Sequence, residues 1–427
     1  MHVSFKKTKN FSRTIVWLLA TTLLTANSGA YSVLTHEELI DLAWNSSIRP
    51  LLLAKFPGAT EKQLKDAHAY AYGGSAMQDM GYYPFGKRFF SNLTHYVRSG
   101  DFVTWMLRNA RTIDEYAFAI GALSHYLGDS VGHSEAINPA TAIEFPKLQK
   151  KYGDQVTYGE SPHGHIRTEF AFDVDQLTNA AFAPPASLEF IGFKVPRRFL
   201  ERAFVATYGF EIGEVLGKAP RPALRSYRTS VRSFIPAFAE AEVVLHRNAF
   251  PPQPDDEAYR IFSERVAQTN YERHWKHAHK GPGVKAHLLA IVVFLIPKVG
   301  GAADLAIKIP NKQTQEWYLQ SVNRTVDVFR DTLHKAAEEG ANDPVALANV
   351  DLDTGRPAKV GDYPLADEAY AQLLGRLTSK PNRAISASLK QHILDYYAAA
   401  GMSGDGSGQI SSQLATLEKM KVRETGE

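Results

Sequence analysis

A central helix is predicted by the segment Ala117-Phe-Ala-Ile-Gly-Ala-Leu-Ser-His125-Tyr-Leu-Gly-Asp129-Ser-Val-Gly-His133. Its first half is almost continuously apolar and follows a capping-box pattern at Thr112–Glu115, which together indicate one long buried helix. His125, Asp129 and His133 then occur at steps of four residues. Their side chains are therefore expected on nearly the same face of the helix.

These three side chains are candidate metal ligands, but they cannot all bind one ion. Eight residues advance a helix by about 12 Å, whereas each ligand of a zinc ion lies about 2 Å from it. His125 and His133 are therefore expected to bind different ions, with Asp129 between them. The alternative is that hydrogen bonds in a helix interface satisfy all three side chains. Three aligned ligands in so apolar a helix favour the metal interpretation.

The amino terminus, residues 1–30, is typical of a secretory signal peptide. Basic residues precede an apolar run at 15–24, and Ser28 and Ala30 provide the small residues of a cleavage site. The run is shorter than the roughly 20 apolar residues of a membrane span. The sequence therefore predicts export, to a secreted or periplasmic location, of a mature chain that begins at Tyr31.

Composition restricts the classes of function that the chain can have. The 427 residues include 48 basic and 45 acidic ones, and the leader contains four basic and no acidic residues, which leaves 44 basic and 45 acidic residues in the mature chain. The bulk positive charge that is typical of nucleic-acid binding is therefore missing. No cysteine occurs, so any metal must be held by histidine, carboxylate and backbone groups.

Further candidate ligands are found on both sides of the central helix. His36 lies near the mature amino terminus, Asp79 lies in a loop rich in aromatic residues, and His95 follows in another aromatic segment. His165 and Glu169 are four residues apart on a helix whose start is predicted at Ser161-Pro162. The alternative for His36 is a surface or capping histidine, and the alternative for Asp79 is a helix cap. His68 is interpreted as a structural histidine.

The whole chain is predicted to be helical. Amphipathic helical patterns recur and no strand-like alternation or internal repeat stands out, which indicates an all-α, multi-helix fold. The Pro-rich segment 251–256 is typical of a linker and separates a catalytic domain at 31–250 from a helical C-terminal region at 251–427 of unknown role. Within that region, the apolar run 288–297 is interpreted as a buried core helix rather than an interfacial segment.

The order and spacing of the candidates resemble the secreted bacterial family of zinc-dependent phospholipases C, whose fold is shared with the fungal single-strand nucleases. The resemblance runs from residue 31 to about 173 and is most specific in His-Tyr-Leu-Gly-Asp at 125–129. It implies three zinc ions in a cleft of an all-helical fold. The implied ligands are Asp79, His95, His125 and Asp129 for one ion, His133, His165 and Glu169 for a second, and His36 with the amino group and carbonyl oxygen of Tyr31 for the third. Asp129 would bridge the first and third ions.

Two features depart from the family pattern. Tyr31 stands where the family normally has tryptophan, a change that ligation through the backbone tolerates. His133 follows Asp129 by four residues, whereas the better-known members place six residues, including a Gln-Pro pair, between the corresponding ligands. Either the second zinc site is lost, or the helix runs straight where it bends in the relatives.

The resemblance implies a secreted zinc-dependent phosphodiester hydrolase, a phospholipase C that converts phospholipids at a membrane or micelle surface into diacylglycerol and phosphorylated headgroup. Asp79 would orient or deprotonate the attacking water in addition to binding zinc. Tyr82 and Tyr83 would line the headgroup pocket, unless they only pack. Two alternatives remain open. One is a zinc-dependent single-strand nuclease or other phosphodiesterase, which the near-neutral mature charge disfavours. The other is a non-catalytic metal- or membrane-surface-binding protein.

Overall fold

The structure is a computed structural model that describes residues 32–179, 191–217, 220–246, 248–269, 283–295, 307–338 and 346–423. The predicted signal peptide and Tyr31 lie outside these ranges. Within them the fold is all-α, as the sequence predicts, with one short antiparallel hairpin added.

Nine helices precede residue 179 in the described chain. They are α1 (Val33–Ala43), α2 (Arg49–Lys55), α3 (Glu61–Ser75), α4 (Arg88–Tyr96), α5 (Ser99–Asn109), α6 (Ile113–Gly132), α7 (Asn138–Glu144), α8 (Pro146–Tyr152) and α9 (Pro162–Thr178). Two wide π-helical turns, Trp44–Ile48 and His133–Ile137, follow α1 and α6, and a 3₁₀ turn, Gln78–Tyr82, follows α3.

The later elements are again mostly helices. They are α10 (Arg197–Tyr208), α11 (Ile212–Leu216), α12 (Pro220–Thr229), α13 (Ile235–His246), α14 (Glu257–Gln268), α15 (Val284–Leu295), α16 (Lys312–Glu338), β1 (Val350–Asp351), β2 (Arg356–Pro357), α17 (Pro364–Thr378), α18 (Ala387–Ala398) and α19 (Gln409–Lys419). A third π-helical turn, Ser230–Phe234, connects α12 to α13. The two strands pair antiparallel, with Val350 opposite Pro357.

Helix α6 is the centre of the fold because it is buried along most of its length. Thr112 caps its first turn by accepting a hydrogen bond from the Glu115 N–H at 3.2 Å, as the capping pattern predicts. Helix α3 packs so closely along α6 that glycine is required at the contact. A Cβ at Gly121 would lie 2.1 Å from the carbonyl oxygen of Ala71, and a Cβ at Gly74 would lie 2.0 Å from a carbonyl oxygen of α6.

The pairs Gly73-Gly74 and Asn138-Pro139 predict the ends of a helix that starts at Glu61 and of the central helix, and the structure differs at both. Helix α3 continues through Gly73-Gly74 to Ser75, because these glycines allow two helix backbones to meet rather than ending the helix. The pair Asn138-Pro139 also does not end the helical path after α6. The Asn138 N–H donates to the carbonyl oxygen of His133, five residues back, and Pro139 then occupies the first turn of α7, where a proline is tolerated because its missing N–H is not needed.

The hydrophobic core extends across the predicted domain boundary at residue 250. One cluster joins side chains of α3, α5 and α6 to side chains of α16, β1, α17 and α18. A second cluster joins α1 and α9 to α14 and α16. The boundary stays a prediction, and the elements that follow it pack directly on those that carry the candidate ligands.

Helix α15 contains most of the apolar run 288–297, which the sequence predicts to be a buried core helix. This prediction is wrong for one face of the helix. Ala286 and Ala290 are buried, but Val284, Leu288 and Ile291 are at least 57% exposed. The last two residues of the run lie outside the described ranges. In the part of the chain that the structure describes, every helix is too short or too polar to span a bilayer.

Candidate metal centre

The structure brings eight of the nine candidate ligands together in the interior, and the ninth, Tyr31, lies outside the described residues. Each of the eight is at most 2% exposed. They form three groups, two of which share His125, and within each group the possible ligand atoms lie within 4.8 Å of one another. The groups are His36, His125 and Asp129; Asp79, His95 and His125; and His133, His165 and Glu169.

Asp129 is a member of the first group and also approaches the second. Its Oδ2 is 3.0 Å from Nε2 of His125 and 3.3 Å from Nε2 of His95. Its Oδ1 is 3.2 Å from Nε2 of His36. Asp79 approaches His95 as well, with Oδ1 3.3 Å from the same nitrogen. The two oxygens of Asp129 therefore face different histidines, which is the arrangement that a bridging carboxylate requires.

The third group combines His133, which follows Asp129 by four residues, with two residues of α9. Oε1 of Glu169 is 2.5 Å from Nδ1 of His165 and 3.7 Å from Nε2 of His133. His165 and Glu169 lie on helix α9. Ser161 caps this helix as predicted, by accepting a hydrogen bond from a main-chain N–H. His133 stands at the start of the π-helical turn, so the short step from Asp129 still brings it to this group.

Hydrogen bonds on the far side of the rings orient three of the histidines. Nδ1 of His125 and Nδ1 of His95 each donate to a main-chain carbonyl oxygen, on α3 and α4 respectively, at 2.8 Å. Nε2 of His165 donates to the side-chain oxygen of Asn138 at 2.9 Å. In each ring, the nitrogen that is not used in this hydrogen bond faces the other candidate ligands of the group. Zinc-binding histidines in proteins are usually held in this way.

The position of His36 depends on a glycine of α6 and on hydrogen bonds between the start of α1 and α9. A Cβ at Gly128 of α6 would lie 3.3 Å from the His36 ring. At the start of α1, Asp173 of α9 accepts hydrogen bonds from the N–H groups of Leu34 and Thr35 at 3.1 and 3.2 Å. These contacts fix the residues directly before His36 and therefore fix the position of its side chain.

Several buried atoms of the centre have no hydrogen-bond partner among the described residues. They include all four carboxylate oxygens of Asp79 and Asp129 and the Oε1 atom of Glu169. A buried polar atom without a partner costs about 1–3 kcal/mol, and a charged one costs more. Divalent cations would compensate this cost, and a donor set of imidazole nitrogens and carboxylate oxygens suits zinc. The residues that are present therefore fit zinc.

The buried groups also change one another's pKa. Burial lowers the pKa of His165 to about 3. Burial acts in the same direction on His95, but the close approach of the Asp129 and Asp79 carboxylates, each 3.3 Å from Nε2, outweighs it and raises the pKa of His95 to about 10. Burial, with repulsion from the same two carboxylates, raises the pKa of Glu169 well above its usual range. Because zinc binds neutral imidazole and ionised carboxylate, its binding would release protons from this centre.

Tyrosine side chains lie beside the metal centre. The ring of Tyr82 is 6.0 Å from the ring of His95, and the ring of Tyr158 is 5.9 Å from that of His165 and 5.7 Å from that of Tyr82. The Tyr158 hydroxyl is buried and has no hydrogen-bond partner among the described residues. Tyr83, the other tyrosine that the sequence indicated, packs against a tyrosine of α12.

Sequence reasoning missed three polar residues of the centre: Asn138, Tyr158 and Asp353. Asp353 has its Oδ1 3.2 Å from Nδ1 of His133. The sequence around it has no ligand-like spacing, and Asn138 was interpreted only as the end of a helix. His68 lies outside the three groups and pairs with Asp41 at 2.9 Å, in agreement with the structural role predicted for it.

Comparison with known protein families gives a match for one segment of the chain. Residues 35–216 match the family described as zinc dependent phospholipase C. This segment is therefore similar to the zinc-dependent phospholipase C family. The match confirms the family resemblance seen in the sequence, and the matched segment contains all eight described candidates. It covers less than half of the chain. No curated protein and no solved structure matches the chain.

Proposed function

We propose that the chain is an exported phospholipase C that hydrolyses phospholipids at a membrane or micelle surface to diacylglycerol and phosphorylated headgroup. One observation carries the proposal: the segment that matches the zinc-dependent phospholipase C family contains three groups of buried histidines and carboxylates. The family supplies the class of reaction. The lipid substrate, export and the ligand assignments are the proposed parts.

The proposed metal assignment uses every candidate ligand. Asp79, His95, His125 and Asp129 would hold one zinc ion, His133, His165 and Glu169 a second, and His36 with the amino group and carbonyl oxygen of Tyr31 a third. Asp129 would join the first and third. Zinc held by these residues would lower the pKa of a water molecule and neutralise charge on phosphoryl oxygens.

Asp79 is the proposed acceptor for the proton of the attacking water. Its carboxylate is 1% exposed, and neither oxygen accepts a hydrogen bond from the described residues. Such an oxygen can accept a hydrogen bond from a water molecule and orient it for attack. The 3.3 Å approach of Oδ1 to Nε2 of His95 keeps the carboxylate beside the first group.

Tyr158 is the proposed donor to a phosphoryl oxygen of the substrate. Its hydroxyl is buried and lacks a partner among the described residues, although a tyrosine hydroxyl in the interior normally has one. Its ring lies beside both Tyr82 and His165, which are next to the first and second proposed ions. A fixed donor at this place would stabilise negative charge as it develops on the phosphoryl group.

Hydrolysis of lipid by the purified mature protein tests the proposal. Wild type should release phosphorylated headgroup from phosphatidylcholine or phosphatidylethanolamine dispersions, and a chelator should stop the release. His125→Ala should lower turnover by orders of magnitude while the circular dichroism spectrum stays helical. The matched control is His334→Ala, because the His334 side chain is 74% exposed and lies outside the centre.

The same preparation should be assayed on single-stranded DNA. Zinc-dependent cleavage of DNA with intact lipid would replace the phospholipase proposal by the nuclease alternative. Turnover of neither substrate would favour a non-catalytic binding protein. Export is tested on the same material, because N-terminal sequencing of protein recovered outside the cytoplasm should begin at Tyr31.

A further inference from the structure

The loop between β1 and β2 places a carboxylate from the C-terminal region in the metal centre. Oδ1 of Asp353 lies 3.2 Å from Nδ1 of His133, and the other ring nitrogen of His133 is the one that lies nearest Glu169. Asp353 is 2% exposed. It lies well beyond the matched segment, residues 35–216, so the family assignment does not account for its presence here.

The Asp353 carboxylate is held in place from two sides. Its Oδ2 accepts a hydrogen bond from the hydroxyl of Tyr96 at 2.9 Å and another from the hydroxyl of Tyr363. The main chain is fixed too, because the Leu352 N–H donates to the carbonyl oxygen of His95 at 3.2 Å. Because two hydroxyl donors occupy Oδ2 of Asp353, its Oδ1 is the oxygen that faces His133.

The same residue also acts on His165. The main-chain carbonyl oxygen of Asp353 accepts a hydrogen bond from Nδ2 of Asn138 at 2.8 Å. This bond orients the Asn138 amide so that its oxygen accepts from Nε2 of His165 at 2.9 Å. Both imidazoles of the group at His133, His165 and Glu169 are therefore oriented through Asp353.

We infer that Asp353 is a positioning residue for this zinc group, an inference that rests on the proposed zinc binding. His95 and His125 each donate to a neutral carbonyl oxygen, whereas His133 faces a carboxylate. A carboxylate is the stronger acceptor and makes the imidazole a stronger ligand. Loss of such a partner lowers metal affinity by about 10–100-fold.

Zinc titration of the metal-free mature protein against a chromophoric chelator tests the inference without using catalysis. Asp353→Asn should weaken the binding of one zinc ion by about 10–100-fold. Asp351→Asn is the matched control. Asp351 is equally buried in the same hairpin and accepts hydrogen bonds from the Asp353 N–H and the Thr354 hydroxyl. Its replacement should lower the melting temperature and leave zinc affinities within about twofold, because asparagine keeps an acceptor oxygen.

A double-mutant cycle shows whether Asp353 acts through His133. In the His133→Ala background, Asp353→Asn should have no further effect on zinc affinity, because the side chain that it orients is gone. The inference is overturned if wild type binds zinc and Asp353→Asn binds it equally well, if Asp351→Asn weakens binding as much, or if the effect persists without His133. A wild-type protein that binds no zinc would instead overturn the proposed function, and this inference with it.

Discussion

Asp129 approaches histidines of two of the three groups. One of its oxygens lies near His36 and the other near His95 and His125. Asp129→Ala should therefore lose more than one zinc equivalent per chain, measured by elemental analysis of the folded protein. Asp114→Ala removes a carboxylate near the start of the same helix, away from the three groups, and should keep the wild-type zinc content. A loss of one equivalent or none would mean that Asp129 does not bridge.

Tyr158→Phe tests the proposed hydroxyl donor because it keeps the ring that packs beside Tyr82 and His165. Loss of a donor to the charge that develops in the transition state should lower kcat by about 10²-fold or more. Zinc content and melting temperature should stay unchanged, since the hydroxyl has no hydrogen-bond partner among the described residues. Tyr152→Phe, at the end of α8, is the control. Full activity in Tyr158→Phe would remove the hydroxyl from the mechanism.

The protonation of His95 predicts a pH dependence of zinc binding. The nearby carboxylates of Asp129 and Asp79 outweigh burial and raise its pKa to about 10. Below that value the metal-free protein holds a proton that zinc must displace, so zinc affinity should rise as pH rises from 6 to 8. Chelator competition at several pH values measures this dependence. Affinity that stays constant over the range would show that no proton is displaced from the centre.

At the scale of helices, the contact between α3 and α6 depends on glycine. A Cβ at Gly121 would lie 2.1 Å from the carbonyl oxygen of Ala71, so Gly121→Ala must push the helices apart and should destabilise the protein by about 1–3 kcal/mol. Gly213→Ala in α11 is the control, because a Cβ there meets nothing within 4 Å. Denaturant unfolding measures both variants. Equal stability of the Gly121→Ala and Gly213→Ala variants would show that α3 and α6 can move apart at little cost in free energy.

The same elements show which parts of the fold a sequence can predict. The starts of α6 and α9 were predicted because capping by Thr112 and Ser161 involves residues within one turn. The end of α3 was not predicted, because Gly74 serves a contact with a helix distant in sequence. The exposed face of α15 was missed for a related reason: an apolar run does not reveal which of its sides another helix covers.

At the scale of the whole molecule, the sequence indicated the family and named candidate ligands, eight of which lie close together in the interior. That was possible because the steps of four residues on α6 and α9 are local, and the family resemblance supplied the remaining ligands. Asp353 and Asn138 could not be predicted in the same way. Their contacts with His133 and His165 arise only when the C-terminal hairpin packs on the ligand-bearing helices.

Because the candidate metal centre lies in the interior, bound zinc would contribute to the stability of the entire fold. A ligand that binds the native state stabilises it by mass action, so removal of zinc with a chelator should lower the melting temperature of the mature protein. Re-addition of zinc should restore it. An identical melting temperature with and without chelator would show that the buried carboxylates and histidines are compensated by protein groups alone.

Anomalous diffraction at the zinc edge, from crystals of the mature protein grown with zinc, tests the central claim most directly. The account predicts two to three peaks per chain, one among Asp79, His95, His125 and Asp129 and one among His133, His165 and Glu169, each about 2 Å from its ligand atoms. With an intact amino terminus, a third peak should lie between His36 and Asp129. Crystals that contain zinc only at surface sites, with these eight side chains bonded to one another, would contradict the account.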